Sequence, residues 1–114
     1  SLGCDRLPGL QHYRHFLTDF DHMSERCVEQ LPASFWLMRR DLFLRLGGLD
    51  PRFFVYYEDV DFCIRARDAG VDVLYVPSLS VIHEGGVSAR HQPSASLAML
   101  WRSRLAWMEK NWSW

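Results

Sequence analysis

Cysteine is scarce in this sequence: Cys4, Cys27 and Cys63 are the three present, and they form no CxxC pair. An odd number without paired spacing argues against a disulfide framework and a structural zinc site, and points to a reducing cytosol. Net charge is nearly absent too, because thirteen Lys and Arg face fourteen Asp and Glu for a formal charge of -1. That balance excludes the global basic excess of a nucleic-acid binder, so no nucleic-acid partner is expected. No apolar run reaches the length of a membrane span, and Ser1-Leu2-Gly3-Cys4-Asp5 lacks the basic and apolar regions of a secretory leader. The chain does not begin with methionine, which suggests a piece of a longer protein. Internal repeats and low-complexity tracts are lacking as well.

What remains is apolar and aromatic. With 48% hydrophobic and 14% aromatic residues in 114, the chain can build one compact core and little beyond it. Residues 1–30 carry His, Asp, Arg and turn formers without a sustained apolar period and read as an irregular or partly helical lead-in. The ordered pattern covers residues 31–114. Phe35-Trp36-Leu37-Met38 is an apolar run of strand length, expected to be buried. Asp41 is placed to cap a short helix carrying Leu42, Phe43 and Leu46, which Gly47-Gly48 ends with a left-handed residue.

From Glu58 to Asp68 a second helix is predicted, with Val60, Cys63 and Ile64 on one face and Asp61 paired to Arg65 on another, facing solvent. Gly70 ends it. Val73 to Val76 and Leu79 to Ile82 suggest two short strands meeting at Pro77 and closed by Gly85-Gly86. Ser94 or Ser96 is placed to cap a last helix in which Leu97, Leu100, Trp101, Leu105, Met108 and Trp112 recur at helical spacing. The fold class is α/β, a few short strands packed with about three helices.

The densest chemical signal is Phe53-Phe54-Val55-Tyr56-Tyr57-Glu58-Asp59-Val60-Asp61, where aromatics run into three acids at a helix start. Apolar surroundings raise a carboxyl pKa and favour general-base chemistry, while a helix N-terminus pulls the other way. Acids in a first turn also complement the helix dipole, and composition by itself favours that role. Successive helical residues point in different directions, so at most one of Glu58 and Asp59 aims at a substrate.

His83, at the end of an apolar strand beside Gly85-Gly86, has the chemistry of a ligand to a divalent cation, although one His makes no metal site. Two D-x-D spacings, Asp19-Phe20-Asp21 and Asp59-Val60-Asp61, have a high chance frequency, and neither is assigned to a metal. The last helix mixes Trp101, Trp107, Trp112 and Trp114 with Arg102, Arg104 and Lys110. Trp101 reads as core, and Trp107 and Trp114 suit a membrane interface or a partner surface. Cys63 reads as a small core residue.

Taken in order, Pro32-Ala33-Ser34-Phe35-Trp36-Leu37-Met38-Arg39-Arg40, Gly47-Gly48-Leu49-Asp50, the aromatic-acid run, Gly70, Val76-Pro77 and His83 resemble family 2 glycosyltransferases, especially their rhamnosyltransferase-like branch. The resemblance is close over residues 31–91, looser in the last helix and nearly absent in residues 1–30. It implies the C-terminal, acceptor-side part of a GT-A domain, Rossmann-like and α/β, in an inverting hexosyltransferase. Asp59 would be the base that deprotonates the acceptor hydroxyl, with Glu58 in support. His83 would join an upstream D-x-D in holding Mg²⁺ or Mn²⁺ on the donor diphosphate, and Ala33, Ser34 and Trp36 would line the acceptor side.

The partners so implied are a nucleotide-sugar donor and a glycan or lipid-linked acceptor, for cell-surface polysaccharide synthesis in the cytoplasm or at the inner face of the cell membrane. The sequence departs from the pattern by lacking the nucleotide-binding half. Smaller departures are Ala33, where glycine is frequent, and Glu84, where His or Gly is frequent. The isolated chain is therefore expected to be inactive, to bind no cofactor alone and to self-associate through uncovered apolar surface. A competing reading is a non-catalytic module whose tryptophan-rich helix docks a protein or a bilayer. A metal-dependent hydrolase would need more ligands than His83, Asp59 and Asp61 supply.

Overall fold

The computed structural model describes residues 20–84 and 93–112. Within them the chain is a small mixed α/β unit of two short strands and three helices. The elements are β1 (Arg26–Cys27), α1 (Arg40–Arg45), α2 (Glu58–Asp68), β2 (Leu74–Tyr75) and α3 (Pro93–Asn111). The strands pair antiparallel, Arg26 opposite Tyr75 and Cys27 opposite Leu74. One further bond, from the Val28 amide to the Val73 carbonyl at 2.9 Å, extends the ladder.

The lead-in therefore contributes a strand, which its composition hid because two residues are too few to show an alternating period. Cys27 in that strand is disulfide-bonded, and Cys63 is free and buried. The expectation against cysteine pairing gives way here, since an odd count still leaves room for one bridge.

Phe35 to Met38 is not a strand. Arg39 is extended, at φ -70° and ψ 134°, but no strand among the described residues lies beside this segment to accept its backbone bonds, and Leu37 is 88% exposed. Apolar character alone does not make a strand without a pairing partner. The same holds for Val81 and Ile82, which are exposed and unpaired in the place where a second strand is predicted. Gly85 and Gly86 lie outside the described residues.

Both inner helices stop where glycine allows it. After α1, Gly47 (φ +78°) donates to the Leu44 carbonyl and Gly48 to that of Phe43. After α2, Gly70 (φ +77°) donates to Arg67 and Val71 to Ala66. These are paired Schellman bonds around a left-handed residue, which satisfy carbonyls the helix leaves open. Asp41 does not cap α1. The cap position is Arg39, and Asp41 lies in the first turn, bonded through both carboxylate oxygens to the Arg39 guanidinium at 2.9 Å.

Helix α2 is the centre of the molecule and is buried on more than one side. Val60 packs with Phe53 and Trp107, with Tyr57 and Ile64 against that cluster. Phe62 turns the other way, between Trp36 at 5.6 Å and Phe43 at 5.7 Å. Cys63 lines a groove with Phe62 rather than sharing the Val60 face, and burial pushes its thiol up, as befits a small core residue.

Helix α3 presents an unexpected face to this core. Its buried residues are Ser96, Ser103 and Trp107, while Leu97, Trp101, Leu105 and Trp112 are each about half exposed or more. Trp101, read as core, is 51% exposed, and Trp107, read as interfacial, is 6% exposed. Of the apolar residues at helical spacing, Met108 packs against the core, but most of that stripe faces outward because the inward face is partly polar. The helix starts at Pro93, so Ser94 and Ser96 lie inside its first turn rather than ahead of it. Trp114 lies outside the described residues. No helix among the described residues is long and apolar enough to cross a membrane.

Candidate functional site

The acids of the aromatic-acid run open α2 on an unusual turn. Tyr56 and Tyr57 are both left-handed, at φ +67° and +68°, and Tyr57 holds the cap position of α2, its carbonyl accepting the Asp61 amide at 2.9 Å. Two consecutive residues with large side chains in this region are sterically costly, and such strain concentrates at functional segments. Glu58, Asp59 and Asp61 follow at once in the first helical turn.

The three acids have separate fates. Asp59 accepts a bond from the amide of its neighbour Val60 at 2.8 Å through Oδ1, and Oδ2 receives a long bond from the Ala33 amide at 3.4 Å. That contact joins residues 26 positions apart and brings two sequence-predicted site residues together. Glu58 is half-buried, and its Oε2 is buried with no hydrogen-bond partner among the described residues. Burial, reinforced by the charge of Asp59, raises the Glu58 pKa above the ordinary value.

Asp61 does not face solvent. It is 2% exposed, and its two oxygens bind Arg65 Nε at 2.7 Å and Lys110 Nζ at 2.5 Å. The predicted Asp61–Arg65 pair is present, but it is buried. Lys110 also reaches Asp50 Oδ2 at 2.8 Å, and Asp50 binds Arg52. Arg52, then Lys110, hold the Asp50 carboxyl far below the usual carboxylate range. Arg65 finally donates to the Leu46 and Gly48 carbonyls at 2.7 and 2.9 Å. One network thus ties the end of α1, the Asp50 turn, α2 and α3 together.

Sequence reasoning missed Lys110, the ion that makes this network possible. Its spacing from Ser103 and Trp107, seven and three residues, places all three on one helical face and was a usable signal.

The acceptor-side residues predicted around position 35 border a different feature. An apolar groove of about 500 Å³ is lined by Ser34, Phe35, Trp36, Phe62, Leu74 and Leu79, among others. Trp36 is half-buried, donates from Nε1 to the Leu31 carbonyl at 3.1 Å and tilts against Phe62. Its ring is thus engaged by the protein on one side. Ala33 and Ser34 are exposed, and of the two Ser34 lines the groove.

His83 is exposed, and no group of three His, Cys, Asp or Glu residues that could hold a metal ion occurs among the described residues. The described residues do not by themselves fit a bound cation. Of the two D-x-D spacings, Asp59-Val60-Asp61 has its second acid consumed by cations, and Asp19 lies outside the described residues.

Comparison with known proteins gives this geometry a setting. The chain is 44% identical over 75 residues to an N-acetylglucosaminyl-diphospho-decaprenol L-rhamnosyltransferase of Mycobacterium tuberculosis, covering 66% of this chain and 24% of that protein. It is 42% identical over 60 residues to the rhamnosyltransferase WbbL of Escherichia coli, covering 53% and 23%. A low-salt glycan biosynthesis hexosyltransferase, Agl10 of Haloferax volcanii, is 28% identical over 99 residues, covering 86% and 30%. The chain thus spans about a quarter of the length of these relatives. No solved structure matches it. A family model described as glycosyltransferase like family 2 matches residues 11–110, and with most of its length so covered the chain belongs to the family 2 glycosyltransferases.

Proposed function

We propose that this chain is the acceptor-side part of an inverting glycosyltransferase with a GT-A arrangement, and that Asp59 is its general base. The observation that carries the reading is the Asp59 carboxylate, held at the start of α2 and reaching across to the amide of Ala33 in the acceptor-side segment. A base held between a rigid helix and the segment that lines the acceptor is oriented toward an incoming hydroxyl. In the reaction Asp59 takes the hydroxyl proton as that oxygen bonds to the anomeric carbon. The bond to the nucleoside diphosphate breaks on the opposite face, and the configuration inverts. Glu58, pushed up by burial, supports from beside it.

The donor is proposed to be a nucleotide-diphospho-sugar bound by other parts of a longer protein. Two relatives are named as rhamnosyltransferases, which supports rhamnose as the sugar; one of those names contains a diphospho-decaprenol, which supports a lipid-linked acceptor. Ser34 and Trp36 are proposed to contact that acceptor. His83 is proposed as a cation ligand only together with carboxylates from elsewhere in the protein, and no step is routed through a cation. The exposed stripe of Leu97, Trp101, Leu105 and Trp112 on α3 supports peripheral contact with a membrane carrying the acceptor.

The test is sugar transfer by the longer protein that contains this chain, measured with a panel of nucleotide-sugars and a lipid-linked acceptor. Asp59→Asn is expected to fold and to lose at least about a hundredfold in turnover, the lower range for a positioned proton-transfer group. Glu58→Gln is expected to lose less. A folded Asp59→Asn enzyme with unchanged turnover removes Asp59 from the mechanism.

A further inference from the structure

Tyr56 and Tyr57 are both left-handed although neither is glycine, so the structure around them must hold that conformation. Helix α3 supplies one set of contacts to this turn. Ser103 is 4% exposed and donates from Oγ to the Val55 carbonyl at 2.7 Å, immediately before the two tyrosines. One turn further along, Trp107 packs its ring against Tyr57 at 5.9 Å and joins the cluster around Phe53. Lys110 then fastens Asp50, whose carbonyl accepts the Phe53 amide at 3.0 Å. Residues 103, 107 and 110 thus form one helical face that grips the Asp50-to-Tyr57 segment along its length.

A serine is a poor choice for a buried position unless its hydroxyl is used, since an unbonded hydroxyl away from water is costly. Here it has one described partner, and that partner is the peptide entering the strained turn. The turn in turn fixes where α2 begins and therefore the direction in which Glu58 and Asp59 leave it.

We propose that Ser103 is a positioning residue: its bond to the Val55 carbonyl, backed by Trp107 against Tyr57, keeps Tyr56 and Tyr57 left-handed and so aims the acids at the start of α2. The name positioning rests on the catalytic reading above, but the clamp itself is a local property of this chain.

The experiment uses isotopically labelled chain in wild-type form and as Ser103→Ala, Ser103→Cys and Ser103→Thr. Cysteine keeps the volume with a weak donor, and threonine keeps the hydroxyl. Carbon chemical shifts and amide-to-α-proton couplings of Tyr56 and Tyr57 report the left-handed conformation, the Glu58 carboxyl carbon reports its titration, and amides at Ala66 to Asp68 report whether α2 is intact. In Ser103→Ala and Ser103→Cys the expected result is an intact α2, loss of the left-handed signature at both tyrosines and a fall in the Glu58 midpoint toward the ordinary carboxyl value as burial is lost. Ser103→Thr restores both. If Ser103→Ala fails to fold, the contrast between Ser103→Cys and Ser103→Thr decides. A left-handed signature and Glu58 midpoint unchanged in folded Ser103→Ala or Ser103→Cys overturn the proposal. That failure would leave the Asp59 reading standing, since the two are read by different measurements.

Discussion

Glu58 and Asp59 are adjacent in sequence but differ in what surrounds them. Glu58 has an oxygen buried without a partner among the described residues, whereas both Asp59 oxygens accept backbone bonds. Burial is the first cause of the raised Glu58 pKa, so the folded chain holds its proton more tightly than the unfolded one does. Between the ordinary and the raised value the folded state binds more protons, and stability falls as pH rises through that window. Glu58→Gln is therefore expected to stabilise the chain at pH 7, by less than about 1 kcal/mol given the exposure of the group, and the gain should vanish toward pH 4. Thermal melts of both forms across that range check it, and a gain that grows toward acid would contradict the burial argument. The sequence showed that aromatics and acids meet here. It could not show which acid is desolvated, because that depends on the Tyr56 and Tyr57 backbone and on α3, nearly fifty residues away.

Helices α2 and α3 meet through charge as well as apolar surface. Asp61, with 3% of its side chain exposed, faces Arg65 and Lys110, whose side chains are 23% and 22% exposed. Removing the acid leaves Arg65 with carbonyl partners alone and Lys110 with Asp50 alone, and these remaining contacts and the exposure of both cations place the cost near the low end for such networks. Asp61→Ala is expected to destabilise the chain by about 3 kcal/mol, checked by denaturant unfolding. A change below about 1 kcal/mol would mean that the network contributes little beyond an exposed ion pair.

Helix existence and helix ends were legible because periodicity and glycine act locally: α2, Gly47 and Gly70 stand as the pattern predicts. The inward face of α3 was not, since Ser103, Trp107 and Lys110 mix a hydroxyl, a ring and an ion, and an apolar count passes over such a face. Strands at Phe35 to Met38 and at Leu79 to Ile82 were misread for a related reason. A strand needs a neighbour, and the described residues supply none for them.

Across the whole molecule, apolar side chains remain uncovered on several sides. Leu37, Phe54 and Ile82 are each nearly nine-tenths exposed or more, and half of α3 presents leucine and tryptophan to solvent. Surfaces of this kind favour association. We expect self-association of the isolated chain, seen as a mass in light scattering that rises with concentration; a constant monomer mass would contradict this.

The central claim concerns Asp59, and its most direct test separates proton removal from binding. Transfer by the longer protein, as wild type and as Asp59→Asn, would be measured with the natural acceptor and with an analogue whose hydroxyl is made more acidic by a neighbouring fluorine. If Asp59 removes the proton, the defect of Asp59→Asn is large with the natural acceptor and at least about tenfold smaller with the acidic one, which needs less help to ionise. A defect of equal size with both acceptors, or none with either, would contradict the account.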